Sequence, residues 1–215
     1  MTSFLYPSLG PPLSPGPRTE ADDGTHIADV LDELAATVRS TWSDAMELDR
    51  RTLEANSDRL AAAGDLIRTR LVAGGTILII GNGGSACDAD RLVRLLKGTA
   101  PARSLLDPAV MSALANDVGA PRMFARQVET FATASDVVVV FSTSGTSANV
   151  VAALAAARRA GAGTIAFAGY GGAALAESDD VDVCLRVDST SVHRIQEAQA
   201  ALSSELVAQL AKAVT

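Results

Sequence analysis

The chain has 215 residues, of which 48% are hydrophobic, 20% charged and 4% aromatic, with a formal net charge of -7. That length suits one domain of ordinary size with a core of Ala, Val, Leu and Ile, and the acidic balance argues against a broad nucleic-acid surface, which needs Lys and Arg against the phosphate backbone. No run of about 18 apolar residues is present, so no membrane span is expected. Cys87 and Cys184 show neither zinc nor disulfide spacing and read as buried thiols. The first residues lack a basic stretch followed by an apolar one, so no signal peptide is expected. A reducing cytoplasm is the expected location.

Residues 1–25 hold five prolines and three glycines, a composition that predicts a disordered or loosely docked tail. Thr25 is placed to cap the helix that follows, in which Ile27, Val30, Leu31, Leu34 and Val38 recur at helical spacing. His26 reads as a capping or solvated residue. A second helix is predicted over roughly 43–72, stopped by Gly74 and Gly75. From residue 76 the chain alternates. "TILIIG" is a buried strand, 84–97 a helix, "ARSLLD" (102–107) a weaker strand and "PAVMSALAND" a short helix. "PRMFARQVETFAT" is a helix with Pro121 in its first turn. "DVVVVFS" (136–142) is a strongly apolar strand, and the helix after it is ended by Gly161. "GTIAFAG" is a strand, "GAALAES" a short helix and "VDVCLRV" a strand. A long helix from Ser191 closes the chain. Apolar strands separated by helices predict a three-layer α/β domain with about five parallel strands, covered on both faces.

In such sheets ligands sit outside the carboxyl ends of the strands, near a reversal of strand order. Two strand ends are unusual here. Gly81, Gly83 and Ala86 fit a dinucleotide-type turn, with Asp107 as a ribose-binding acid, or simply a tight turn with close helix packing. The other strand end carries Ser142, Thr143, Ser144 and Ser147 just before a helix. Free N–H groups and the helix dipole favour an anion there, and hydroxyls add donors without net charge. Ordinary capping is the plainer reading, but four hydroxyls in six residues suit a small terminal phosphate.

The segments "GNGGSACDA", "ANDVG", "FSTSGTSANVVAALAAARRAG", "AGYGGAAL" and "HRIQEAQ", in that order, resemble the sugar-isomerase (SIS) domain in its phosphoheptose isomerase branch, over about residues 26–215. The resemblance implies a flavodoxin-like five-stranded parallel sheet preceded by two helices, and a homotetramer or homodimer with sites between subunits. It also implies a phosphorylated sugar as ligand. Asn82, Ser85, Ser142, Thr143, Ser144 and Ser147 match the family's phosphate cradle. Asn116 and Asp117 match an Asn-Asp pair near the sugar, and Gln196 matches a glutamine that helps hold zinc in metal-containing members.

The family's chemistry matches less well. Aldose–ketose isomerisation needs a positioned acid and base. The family's histidine and glutamate on the helix after the first loop fall at Arg91 and Leu95. Its second catalytic histidine falls at Ser204, and its aspartate before RIQE falls at His193. Arginine stays protonated and leucine has no proton to exchange. No metal and no cofactor are expected, because Gln196 with Arg, Leu and Ser is not a zinc donor set. The segment between Leu96 and Asn116 is several residues shorter than is usual in the family, so the pocket wall there is expected to differ. If catalysis survives, His193 is the candidate base, with Glu197 next to consider. Arg91 and Arg94 read either as a solvated helix face or, at Arg91, as a clamp for a second anionic end, as on a sugar bisphosphate. Three functions follow. The first is a phosphosugar-binding sensor, regulator or partner subunit, alone or with an active paralogue. The others are an isomerase with rebuilt acid–base residues and a nucleotide-binding protein.

Overall fold

Three strands are buried at every residue: β1 (Ile77–Gly81), β3 (Val137–Ser142) and β4 (Gly163–Ala168). This is the burial that near-continuous Val and Ile runs require. Shorter strands flank them, β2 (Ala102–Ser104) and β5 (Val183–Arg186). All pairings are parallel, in the order β2-β1-β3-β4-β5. The chain leaves the β1/β3 pair in opposite directions, which makes this the switch point of the sheet. Gly81 is in register with Phe141, so the loops after β1 and β3 leave the sheet side by side. The computed structural model describes residues 23–212. The tail expected over 1–25 falls outside that range except for its last three residues.

Seven α-helices are present among the described residues. They are α1 (Asp23–Ala55), α2 (Ser57–Val72), α3 (Gly84–Leu96), α4 (Pro108–Asp117), α5 (Met123–Phe131), α6 (Ala148–Arg159) and α7 (Val192–Lys212). Alternate strand residues face opposite sides, as the pleat dictates. Ile77, Ile79, Val137 and Val139 pack with Ile67 of α2, Leu92 of α3 and Leu202 of α7. Leu78, Ile80, Val138 and Val140 pack with Phe124 of α5 and Leu154 of α6. Phe141 stacks on Phe167 with ring centroids 4.4 Å apart. This is the flavodoxin-like three-layer α/β fold expected from the sequence.

The chain divides into two units, residues 1–43 and 44–215, and the sheet lies in the second. The described part of the first is the leading stretch of α1, where Ile27, Leu31, Leu34 and Val38 are exposed at helical spacing.

Several local expectations are corrected. The first helix begins at Asp23, so Thr25 lies within it and is not its N-cap, and His26 is exposed on it. The break between the first two helices falls at Asn56 rather than near residue 43. Asn56 is buried, and its side chain explains the break. Its Nδ2 donates to Thr52 O (2.7 Å) and Arg186 O (2.8 Å), while its Oδ1 accepts from Arg186 N (2.9 Å). The amide thus takes the place of a strand partner at the end of β5. Pro121 sits in a separate 3-10 turn, Ala120–Arg122, ahead of α5. The segment Tyr170–Glu177 is 3-10 with a kink, not α-helix, because Tyr170, Gly171, Gly172 and Ala173 all have positive φ. Cys184 is buried as expected, but Cys87 is exposed on α3.

Candidate functional site

The turn after β1 is shaped by close backbone contact. A side chain at Gly81 would meet the Ser85 carbonyl oxygen at 2.3 Å, so the strand can run straight into α3 only with glycine there. Gly83, the residue before α3, has φ 55° and ψ -123°, a backbone that L side chains rarely adopt. Ser85 is buried in the first turn of α3. Asp107, offered as a ribose-binding acid, serves here as a helix cap. Its carboxylate accepts from Ala109 N (2.9 Å) and Val110 N (3.0 Å) and caps α4, with Pro108 following.

The turn after β3 is built by its own hydroxyls. The Ser142 Oγ accepts from Gly145 N at 3.0 Å, and the Ser144 Oγ accepts from Thr146 N at 3.3 Å. Each hydroxyl keeps its own O–H to donate. Ser147 precedes α6 but makes no side-chain cap bond, so its hydroxyl is not engaged in ordinary capping. Gly145 has φ 65°, and a side chain there would meet Ala173 Cβ at 2.8 Å. The kinked 170–177 segment therefore backs this turn.

The two turns are tied to each other. Asn82 and Asn149 exchange both amide hydrogen bonds, at 2.8 and 2.9 Å. This pair joins the β1 turn to the first turn of α6. Both α3 and α6 begin directly after these turns, at the switch point of the sheet, and helix N-termini favour a small anion.

On the other side of the β1 turn lies α7. The Gln196 side chain packs on Gly84, where an added Cβ would come within 2.2 Å of its Nε2, and that nitrogen donates to Asp88 Oδ2 at 3.3 Å. Asp88 went unnoticed in the sequence, where it is one acid in a helix. It is half-buried, and burial pushes its carboxyl above the ordinary carboxylate range, while Gln196 and then Arg91 pull it back. Arg91 is half-buried and reaches α7. Its Nη1 donates to Ala200 O (2.9 Å) and its Nη2 to Ser204 Oγ (3.0 Å).

The remaining candidates are exposed. Asn116 and Asp117 are exposed at the end of α4 and bond to each other at 3.2 Å. His193 is exposed in the first turn of α7. Glu197 pairs with Arg194 at 2.8 Å, and its charge acts on Asp49 of α1, whose carboxyl is pushed up first by burial and then by Glu197. Asn82, Ser85, Ser142, Thr143, Ser144, Ser147, Gln196 and Arg91 thus belong to the turns and helices around one end of the sheet.

Zinc of the kind that the resemblance attaches to Gln196 does not fit these residues. A guanidinium, an aliphatic chain and a hydroxyl stand at Arg91, Leu95 and Ser204, and the guanidinium is already bonded to α7. Among the described residues no three His, Cys, Asp or Glu side chains are grouped to hold a metal ion. Nor is any described helix long and apolar enough to cross a membrane.

The chain is similar to known proteins in sequence and in fold. The SIS domain profile matches residues 42–169, a stretch that includes both turns. The chain is 38% identical over 176 residues to a phosphoheptose isomerase of Roseiflexus sp. (strain RS-1), covering 78% of this chain and 84% of that protein. The structure of a phosphoheptose isomerase from Neisseria gonorrhoeae superposes with a TM-score of 0.78 at 31% identity, over 83% of this chain and 99% of that one. One from Francisella tularensis gives 0.77 at 28% identity, over 83% and 98%.

Proposed function

Because this chain belongs to the SIS domain family, in its phosphoheptose isomerase branch, we propose that it binds a phosphorylated sugar and does not perform the zinc-, Glu- and His-dependent isomerisation. The phosphate sits in the cradle of Asn82, Ser85, Ser142, Thr143, Ser144 and Ser147, with Asn116, Asp117 and Gln196 toward the sugar. The observation that carries the reading is the Arg91 link to α7. Isomerisation moves a proton between adjacent carbons and needs a group that can take it up and return it. Arg91 stays charged and is bonded to Ala200 O and Ser204 Oγ, and Leu95 offers nothing to exchange. A protein that binds the sugar phosphate without turning it over acts as a sensor, a regulator or a partner subunit in the cytoplasm. The exposed row Ile27, Leu31, Leu34 and Val38 supports assembly, as a homotetramer or homodimer or with an active paralogue.

Asp88 favours a second reading, an isomerase with rebuilt acid–base groups. A half-buried carboxyl with a raised pKa, bonded to Gln196 beside the cradle, has the character of a general base. His193 and Glu197 are the other candidates under that reading.

Incubation with sedoheptulose 7-phosphate, followed by NMR for the aldose, separates the two. The first reading expects a rise in melting temperature without product, and product on introducing Arg91→His, Leu95→Glu and Ser204→His together. Product from the unmodified protein, lost in Asp88→Asn, establishes the second.

A further inference from the structure

A cavity of about 460 Å³ lies between the end of α1, the start of α2 and the turns after β4 and β5. Arg51, Arg59 and Arg186 line it, with Thr52, Asn56 and Asp188. Three arginines therefore border one cavity beside a single carboxylate, in a chain whose net charge is -7. No residue of the cradle lines this cavity.

The site is built rather than incidental. Asn56 holds both the N–H and the C=O of Arg186. The kinked turn packs on the Arg186 side chain, since a Cβ at Gly172 would come within 3.1 Å of its Cγ. The Arg186 Nη2 donates to Ala176 O at 3.2 Å, yet its Nε is buried with no partner among the described residues. A buried cationic donor without an acceptor is costly. Arg51 stands exposed, 3.6 Å from Glu47, and Arg59 donates to Ala55 O, so both heads lie at the rim.

We propose that this cavity is a second anion site, separate from the sugar cradle, and that it takes the phosphate group of a small molecule. Guanidinium forks match phosphate oxygens in pairs, and their charge does not titrate. The volume lies within the range of small-molecule sites and exceeds what phosphate alone fills. Free phosphate, a hexose phosphate and a nucleotide share the recognised group.

The test uses the full chain carrying Ser144→Ala and Ser147→Ala, which disables the cradle. Calorimetric titration with inorganic phosphate, glucose 6-phosphate and ATP shows which of the three sources binds. At least one is expected to bind with one site per chain, about tenfold more weakly after Arg51→Ala and more tightly after Asp188→Asn. No binding by any of the three overturns the proposal. So does binding that ignores both Arg51→Ala and Arg59→Ala. If an arginine variant loses its circular dichroism signature, Asp188→Asn decides alone, and an unchanged affinity there overturns the proposal. The cradle reading is tested separately by phosphosugar binding in the chain with Ser144 and Ser147 intact, so the two can fail independently.

Discussion

Arg91→Ala tests whether this arginine ties two helices together or stands ready for a ligand. The substitution removes two hydrogen bonds from a charged donor, to Ala200 O at 2.9 Å and to Ser204 Oγ at 3.0 Å. Buried bonds to charged groups contribute about 1.5–3 kcal/mol each. Arg91 is only half-buried and Ser204 is exposed, so water replaces part of each bond and the pair is worth about 1–2 kcal/mol. At about 2–4 °C per kcal/mol for a chain of this size, the melting temperature should fall by about 2–8 °C. Ser204→Ala should cost less, because the bond to Ala200 O remains. A double-mutant cycle on Arg91 and Ser204 should return a coupling of about 0.5–1 kcal/mol. Differential scanning calorimetry or urea unfolding measures all four proteins. An Arg91→Ala variant as stable as its parent, with zero coupling to Ser204, refutes the helix tie. If that same variant also loses affinity for a sugar bisphosphate, the arginine is a ligand clamp instead.

Gly81→Ala places a Cβ 2.3 Å from the Ser85 carbonyl oxygen. Backbone must move, so the change should cost about 1–3 kcal/mol and weaken phosphosugar binding; unaltered affinity in a titration would contradict the cradle geometry. Asn149→Ala breaks the reciprocal amide pair with Asn82 and should lower stability by about 1–2 kcal/mol in urea unfolding, with a looser cradle. Asp88 gives a pH signature. Its folded-state pKa lies above the ordinary value of 3.8, so the folded chain holds the proton more tightly than the unfolded one. Its contribution to stability is therefore greatest below 3.8, declines as pH rises through the raised folded value and is flat above it. Asp88→Asn removes that slope, so the difference in melting temperature should grow in favour of Asn across this window. Parallel curves for the two proteins would show that burial does not strain the carboxylate.

The sequence alone determined the alternation of strands and helices, because a strand covered on both faces must be apolar throughout. "TILIIG", "DVVVVFS" and "GTIAFAG" have no other stable place. It also determined the two anion-type turns, since Gly83 answers a local backbone need and the hydroxyls of Ser142 and Ser144 bond within two or three residues of themselves. What it could not reveal joins residues far apart in the chain. Arg91 reaches Ser204 across 113 positions, Gln196 reaches Asp88 across 108, and Asn56 holds Arg186 across 130. Helical spacing says which residues share a face but not what that face meets. So Cys87, read as buried, is exposed, and Asp107, readable as a ribose ligand, caps a helix. The arginine cavity follows the same rule, because Arg51 and Arg59 lie 127 or more positions before Arg186 in the chain and line one cavity with it only in the folded structure. Local steric and hydrogen-bonding demands act within a few residues and are legible in order. Burial, charge pairing and the partner of each polar side chain are set only when the sheet brings distant helices together.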